Sequence, residues 1–129
     1  MTKITTVNTD EIASRYLAVW REPDAEARRA AIAGLWAPDA VEYVEGIQFR
    51  GHAELEKRVA EAHHQFVVDR GFSITPAGDI TRHDDVIIGG VQFVTLDDEV
   101  VWSARIFLIV GEDGLIQEDY QLTVQQLAQ

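Results

Sequence analysis

The segment DVIIGGVQFVTLDDEVVWSARIFLIV, residues 85–110, contains two apolar runs separated by the polar sequence LDDE (96–99). Both runs are rich in the β-branched and aromatic residues that favour strands. Side chains alternate between the two faces of a strand, and here both alternating sets are largely apolar. A sheet with two apolar faces has to be covered on both. The segment therefore predicts an antiparallel hairpin with helices on one side and a second covering layer on the other.

The flanking sequence extends this hairpin in both directions. FSITPAGDITRH (72–83) precedes it, and LIQEDYQLTVQQL (115–127) follows it after the turn sequence GEDG (111–114). Both flanking segments show strand-like alternation, and the short polar connections favour hairpins. The C-terminal half is therefore predicted to be a four-stranded antiparallel meander.

The N-terminal half has the periodicity of helices. Apolar residues at helical spacing predict a first helix over roughly 10–21 and a third over about 52–68. The stretch EPDAEARRAAIAGLW predicts a second helix, for which Asp24 can serve as the N-cap. Residues 40–50 predict one or two short strands. The resulting order, α-α-β-β-α-β-β-β-β, is an α+β layout, and we expect one domain spanning 1–129.

The composition excludes several classes of function. Eleven basic and twenty-two acidic residues give a formal net charge of −11, which disfavours binding to nucleic acid and to anionic membranes. The chain has no cysteine, so thiolate nucleophiles and Cys-containing metal sites are excluded. We find neither a signal peptide nor an apolar run long enough to span a bilayer, and we expect a cytoplasmic protein.

The last strand carries a polar row that has two interpretations. On one face lie Gln117, Asp119, Gln121 and Thr123, and on the other lie Ile116, Leu122 and Val124. The polar row could simply meet water. If the apolar face is instead covered by a partner, the polar row has to point toward the helices. We predict this second arrangement, with Asp119 facing inward.

Three motifs connect the sequence to a known family: LWAPDAV (35–41), FRGHAEL (49–55) and GEDGLI (111–116). In this order and spacing the chain, over roughly 10–126, resembles the SnoaL-like branch of the NTF2-like superfamily. The resemblance implies a cone in which three helices pack in a curved, mostly antiparallel sheet around an apolar pocket. It also implies a homodimer formed through the outer face of the sheet. The superfamily contains isomerases, cyclases, dehydratases and members without catalysis, so the fold leaves the function open.

Single positions can be compared with these relatives. Tyr16 falls where ketosteroid isomerases carry an oxyanion-stabilising tyrosine. Val44 and Ile106 fall where those isomerases carry their two functional aspartates, so the resemblance argues against steroid isomerisation. Polyketide cyclases of this branch hold an acid on the last strand, and Asp119 is the nearest match. The residues WSARIFL do not supply the Arg-x-Asp pair of epoxide hydrolases.

The candidate catalytic residues are therefore Asp119, as acid or base, and Tyr16, as hydrogen-bond donor. A buried carboxyl has a raised pKa and can exchange protons near neutral pH. Glu42 has the parity of Val44, so it either joins Asp119 as an acid pair or lies in solvent. The residues expected to line the ligand pocket are Trp20, Glu42, Val44, His63, Phe66, Trp102, Ile106 and Gln121.

Two further features have simpler interpretations. His63 and His64 are adjacent on a helix, so their side chains diverge and do not readily bind one ion, and we expect neither a metal nor another cofactor. Arg105 is a lone cation in an apolar strand. By parity it lies on the outer face with Phe107 and Ile109, where we expect the dimer contact.

Three functional hypotheses follow. The first is an isomerase, cyclase or dehydratase that works by proton transfer on a small apolar or aromatic ligand. The second is a non-catalytic ligand-binding or accessory module. The third is an interaction protein whose pocket is closed by its own side chains, with Trp20 and Trp102 as the residues that would close it.

Overall fold

The computed structural model describes residues 8–127. The helices are α1 (Thr9–Arg21), α2 (Ala25–Leu35) and α3 (Gly51–Ala62), and α3 continues directly into a π-helical segment, His63–Val68. The strands are β1 (Trp36–Val44), β2 (Ile47–Arg50), β3 (Ser73–Pro76), β4 (Thr81–His83), β5 (Val86–Val94), β6 (Val100–Val110) and β7 (Ile116–Gln125).

The strands form one mixed, curved sheet in the order β2-β1-β7-β6-β5-β3, and β4 also pairs with β5. Every pairing is antiparallel except that of β1 with β7. Parallel neighbours need a long crossover, and here α3 and most of the sheet lie between these two strands in sequence. This topology places two strands from opposite ends of the chain side by side, and it confirms the predicted α+β arrangement.

The strand count differs from the prediction at residues 72–83. The sequence predicts one strand there, whereas the structure has β3 and β4, each antiparallel to β5. Pro76 has no N–H with which to continue a hydrogen-bonded ladder. Gly78 then adopts a φ of +77°, a left-handed conformation that favours glycine. The run is therefore broken in two, and the sheet has seven strands rather than the six predicted.

The helix boundaries follow from local capping. The Asn8 side chain accepts a hydrogen bond from Glu11 N and caps α1, while Asp24 caps α2 through Ala27 N, as predicted. The strand predicted from residue 40 begins four residues earlier, directly after α2. Pro38 accounts for this, because a proline disfavours helical conformation in the residue before it.

The inner face of the sheet and the three helices form the core. Trp36, Ile32, Leu35 and Leu55 are essentially inaccessible to solvent. Ile116 was predicted to lie on the outer face, and this prediction is wrong, because its side chain is fully buried in the core. The β6–β7 register shifts beside it, so one additional residue reverses the parity at the start of β7.

The outer face of the meander is only partly covered. Leu122 and Val124 are 51% and 65% exposed, Arg105 is exposed, and Phe107 and Ile109 are half-buried. The predicted outward direction of these side chains is confirmed. No helix within residues 8–127 is both long enough and apolar enough to cross a bilayer.

Candidate functional site

Two buried carboxyl groups lie side by side on the parallel strands β1 and β7. Glu42 and Asp119 are direct partners in the register of these strands, and both side chains are fully buried. Because paired residues in a sheet present their side chains on the same face, the two carboxyl groups point together toward the helices. The inward direction of Asp119 is therefore confirmed, and Glu42 joins it as the sequence analysis had considered.

Helix α1 contributes a hydroxyl group to this pair. The Tyr16 hydroxyl donates a hydrogen bond to Asp119 Oδ1 at 3.2 Å and accepts one from Gln121 Nε2 at 3.5 Å. Asp119 Oδ2 is buried and has no hydrogen-bond partner within residues 8–127. The indole N–H of Trp36 is close enough to favour the charged form of Asp119, but it lies outside hydrogen-bonding geometry. Asp119 is therefore an incompletely satisfied acid deep in the core.

Helix α3 contributes a cation that was not among the site residues predicted from the sequence. Arg58 Nε donates to Glu42 Oε1 at 3.2 Å, and Nη2 donates to Gln121 Oε1 at 3.0 Å. The guanidinium also lies over the rings of Trp20 and Phe49, 5.2 Å and 5.4 Å from their centroids. Gln121 Nε2 closes the network with a bond of 3.3 Å to Glu42 Oε2. Arg58 thus connects the helix layer to the acid pair.

A signal for Arg58 exists in the sequence. It is three residues after Leu55 and four before Ala62, both of which belong to the buried stripe of α3. Residues at these separations share a helix face, so Arg58 lies at the edge of that stripe. What the sequence could not show is that the long arginine side chain extends inward to Glu42, since this depends on how α3 packs against β1.

The buried environment raises the pKa of three acidic groups, those of Asp119, Glu42 and Tyr16. Burial raises the pKa of Asp119 well above its usual range, and the neighbouring Glu42 raises it further; Tyr16 and Arg58 act in the opposite direction. Burial also raises the pKa of Glu42, against the lowering effect of Arg58. The pKa of the Tyr16 hydroxyl is raised by burial and by both carboxylates. The site therefore favours neutral Asp119 and neutral Tyr16, a pair able to donate hydrogen bonds.

A cavity of about 190 Å³ lies directly beside this network, between the helices and the sheet. We call it the α1–α3 cavity. Tyr16, Arg58, Gln121 and Thr123 are its polar lining residues. Its apolar wall is aromatic and aliphatic and includes Trp20, Val44, Phe66, Phe93 and Trp102. Glu42 and Asp119 do not line it, but they are hydrogen-bonded to Gln121 and Tyr16, which do.

A second cavity of about 290 Å³ lies on the other side of Tyr16, between α1 and strands β5 and β6. Ile106 lines this second cavity rather than the α1–α3 cavity, and Asp10 and Arg21 are also among its lining residues. Tyr16 borders both spaces. The expectation that Ile106 shares one pocket with Trp102 is therefore not met.

His63 also differs from the expectation for a pocket residue. Its side chain is buried, and Nδ1 lies 3.2 Å from the carbonyl oxygen of Trp20, so the ring packs between the π-helical segment and α1. It does not line the α1–α3 cavity. His64 is exposed. Within residues 8–127, no three His, Asp or Glu side chains are grouped closely enough to hold a metal ion.

Comparison with solved structures places this geometry in a known fold. A proposed isomerase of the SnoaL-like family from Agrobacterium tumefaciens is similar to the chain at a TM-score of 0.79, with 22% identity over 96% of this chain and 99% of that one. This chain has the NTF2-like fold. The predicted resemblance is confirmed at the level of fold, which in this superfamily does not fix the function.

Two further structures support the same assignment. A proposed polyketide cyclase from Sinorhizobium meliloti matches at a TM-score of 0.66, with 18% identity over 86% of this chain and 93% of that one. An NTF2-like protein of unknown function from Exiguobacterium matches at 0.63, with 16% identity over 88% and 98%. No protein-family model matches the sequence, and no curated protein matches it significantly.

Proposed function

We propose that the α1–α3 cavity binds a small aromatic or apolar molecule, and that Tyr16 and Asp119 promote cofactor-free acid–base chemistry on an oxygen atom of that molecule. One observation carries the proposal: Tyr16 borders the cavity, and its hydroxyl is hydrogen-bonded at 3.2 Å to a buried acid with a raised pKa. The reaction classes that suit such a site are isomerisation, cyclisation and dehydration.

The chemistry proceeds through Tyr16. Without a ligand, its O–H donates to Asp119 Oδ1. When a ligand oxygen enters the cavity, the hydroxyl hydrogen turns toward it, and neutral Asp119 donates its own O–H to the Tyr16 oxygen in place of the lost bond. Negative charge that develops on the ligand oxygen then faces the Tyr16 hydroxyl, which is itself supported by the O–H of Asp119. Tyr16 is the catalytic residue in this proposal, and Asp119 is a positioning residue that acts through it.

A non-catalytic binding role is the second candidate, and a specific observation favours it. Among the described residues, the α1–α3 cavity has no carboxylate on its wall, and Val44 occupies the position where the resemblance would put a general base. A site with a hydrogen-bond donor but without a base can hold an oxygen-containing ligand without converting it. The third hypothesis, a pocket filled by its own side chains, is disfavoured by the open volume beside Trp20 and Trp102.

We further propose a homodimer that buries the outer face of the meander, in a cytoplasmic setting without nucleic-acid or membrane partners. The exposed Leu122 and Val124 support the dimer, because they form part of an apolar surface that also includes Phe107 and Ile109. Arg105 is the cation on this surface, where a second copy of the chain would offer it an acidic side chain.

Binding of 4-nitrophenol tests the role of Tyr16, since this one-ring probe carries the required oxygen and its absorbance reports its protonation. We expect the probe to bind, and we expect Tyr16→Phe to weaken binding about tenfold, the effect of losing one good hydrogen bond. Tyr43→Phe is the matched control, because Tyr43 stacks on Tyr120 away from the cavity, with centroids 4.6 Å apart. Equal affinities for all three proteins would refute the proposed role of Tyr16.

To separate catalysis from simple binding, native mass spectrometry of the purified protein can first identify a retained ligand. With that compound in hand, Tyr16→Phe should reduce turnover about 100-fold or more if the hydroxyl stabilises a transition state. A compound that binds and is released unchanged by the wild-type protein would instead support the binding module.

A further inference from the structure

Arg58 has N–H groups that its hydrogen bonds to other residues do not use. A guanidinium has five N–H donors, and the bonds to Glu42 and Gln121 use two of them. The others meet no acceptor in the part of the chain that the structure describes, although the side chain is only 19% exposed. Arg58 also lines the α1–α3 cavity, where a ligand can supply oxygen atoms to these donors.

The aromatic lining of the same cavity suits a flat ring. Phe93 packs against Phe66 and Trp102 with ring centroids 4.9 Å and 4.6 Å apart, and all three rings line the cavity. An apolar cavity of roughly 150 Å³ holds one benzene molecule. The α1–α3 cavity, at about 190 Å³, therefore has room for one ring with a small substituent.

We propose that the ligand of this cavity is a one-ring aromatic carboxylate, with its ring against these aromatic side chains and its carboxylate on the free N–H groups of Arg58. The inference rests on the proposed function, because it assumes that this cavity is the binding site. It goes further by naming the chemical class of the ligand and the residue that selects it. A carboxylate fits best, since planar guanidinium and carboxylate groups pair through two parallel hydrogen bonds.

Binding of a carboxylate at Arg58 is coupled to a proton. The titratable or charged groups that face Glu42 are Arg58 from α3, Asp119 from β7 and Tyr16 from α1. A ligand carboxylate would compete with Glu42 for Arg58 and place a second negative charge beside it. The pKa of Glu42, already raised by burial, would rise further, so the complex takes up a proton. Affinity for the carboxylate should therefore fall as pH rises.

The test compares benzoate with benzamide, which has nearly the same shape and carries no charge. Affinities can be measured by NMR titration of the full chain at pH 5.5 and pH 8. We expect benzoate to bind more tightly than benzamide at pH 5.5, and its advantage to shrink at pH 8. Arg58→Met should weaken benzoate binding about tenfold while changing benzamide binding little. Lys57→Met is the matched control, because it removes a positive charge from an exposed position on the same helix.

Two more variants separate recognition from loss of structure. Arg58→Lys keeps the charge but not the planar fork, and we expect it to bind benzoate with intermediate affinity. Glu42→Gln removes the competing carboxylate, so it should bind benzoate more tightly than the wild type and abolish most of the pH dependence. A misfolded protein would not bind its ligand more tightly, so this gain excludes a trivial explanation.

The outcomes distinguish the inference from the function on which it rests. Benzamide binding as tight as benzoate binding, or an Arg58→Met variant with unchanged benzoate affinity, would overturn the carboxylate inference and leave the cavity as the binding site. If neither compound nor 4-nitrophenol binds the folded protein, both the inference and the proposed function fail.

Discussion

Replacing Tyr16 by phenylalanine tests the central contact of the site through stability alone, without knowledge of the ligand. The substitution removes the hydroxyl that donates to Asp119 Oδ1 at 3.2 Å, while the ring and its packing remain. Asp119 Oδ2 already has no partner within residues 8–127, so the variant leaves both carboxyl oxygens without a hydrogen bond. Gln121 Nε2 keeps its bond to Glu42 and is not left unsatisfied.

The magnitude follows from the charge state of Asp119. A hydrogen bond to a charged group contributes about 1.5–3 kcal/mol to stability, and one between neutral groups contributes about 0.5–1.5 kcal/mol. Tyr16→Phe should therefore lower the free energy of unfolding by about 1–3 kcal/mol, with the larger loss at alkaline pH, where more Asp119 is ionised. In a protein that already carries Asp119→Asn, Tyr16→Phe should cost only the contribution of a hydrogen bond between neutral groups, about 0.5–1.5 kcal/mol. The double-mutant cycle should thus show a coupling of about 1 kcal/mol at alkaline pH, decreasing toward acid.

Urea unfolding followed by tryptophan fluorescence measures these differences, because Trp36 is fully buried. All variants should be compared at one protein concentration, since a dimer makes apparent stability depend on concentration. Tyr43→Phe is the control and should change stability by less than about 0.5 kcal/mol. Two results would show that the Tyr16–Asp119 contact is not a significant interaction. The first is a Tyr16→Phe variant that is no more destabilised than this control. The second is additivity of Tyr16→Phe and Asp119→Asn at every pH, and either result would refute the proposed action of Asp119 through Tyr16.

Three further predictions concern pH, assembly and packing. The folded-state pKa of Asp119 is raised, so its contribution to stability is fully present below its unfolded pKa of about 3.9 and is lost as pH rises through the folded pKa. Thermal melts should show this decline in stability with rising pH, and Asp119→Asn should make stability less dependent on pH. Phe107→Glu should convert the dimer to monomers in sedimentation. Gln65→Glu, which adds the same charge at an exposed helical position, should not. A wild-type protein that is monomeric at micromolar concentration would contradict the proposed dimer. Gly90→Ala should destabilise the fold by about 1–3 kcal/mol, because the added Cβ would lie 2.5 Å from a backbone carbonyl oxygen. Gly34→Ala should instead be neutral or stabilising by up to about 1 kcal/mol, because Gly34 is in a helix and its added Cβ would lie 3.3 Å from the end of the flexible Arg15 side chain. Equal effects of the two substitutions would argue against close packing at β5.

The sequence by itself determined the class of the fold. Periodicity distinguished helices from strands, because apolar residues recur every three or four positions in the first and alternate in the second. The doubly apolar runs at 85–110 required a sheet covered on both faces, and the polar row around Asp119 could then be assigned to the inner face. The helix and strand assignments and the inward direction of Asp119 are confirmed, because they depend on local geometry and on the parity of one strand. The covering of the outer face stays a prediction. The same parity argument failed at Ile116, where one additional residue shifts the register of β7 against β6.

Only the tertiary structure decided how the site is assembled. The sequence suggested Glu42 and Asp119 as a pair, but the parallel pairing of β1 with β7 is a non-local choice that no local pattern encodes. The packing of the helices on these two strands then brings Arg58 of α3 to Glu42 and Gln121, and Tyr16 of α1 to Asp119. Burial then raises the pKa of both carboxyl groups, since each loses the water that would stabilise its charge. The chemistry of an isolated aspartate or glutamate can be read from a sequence, whereas its protonation in the protein depends on neighbours that only folding brings together.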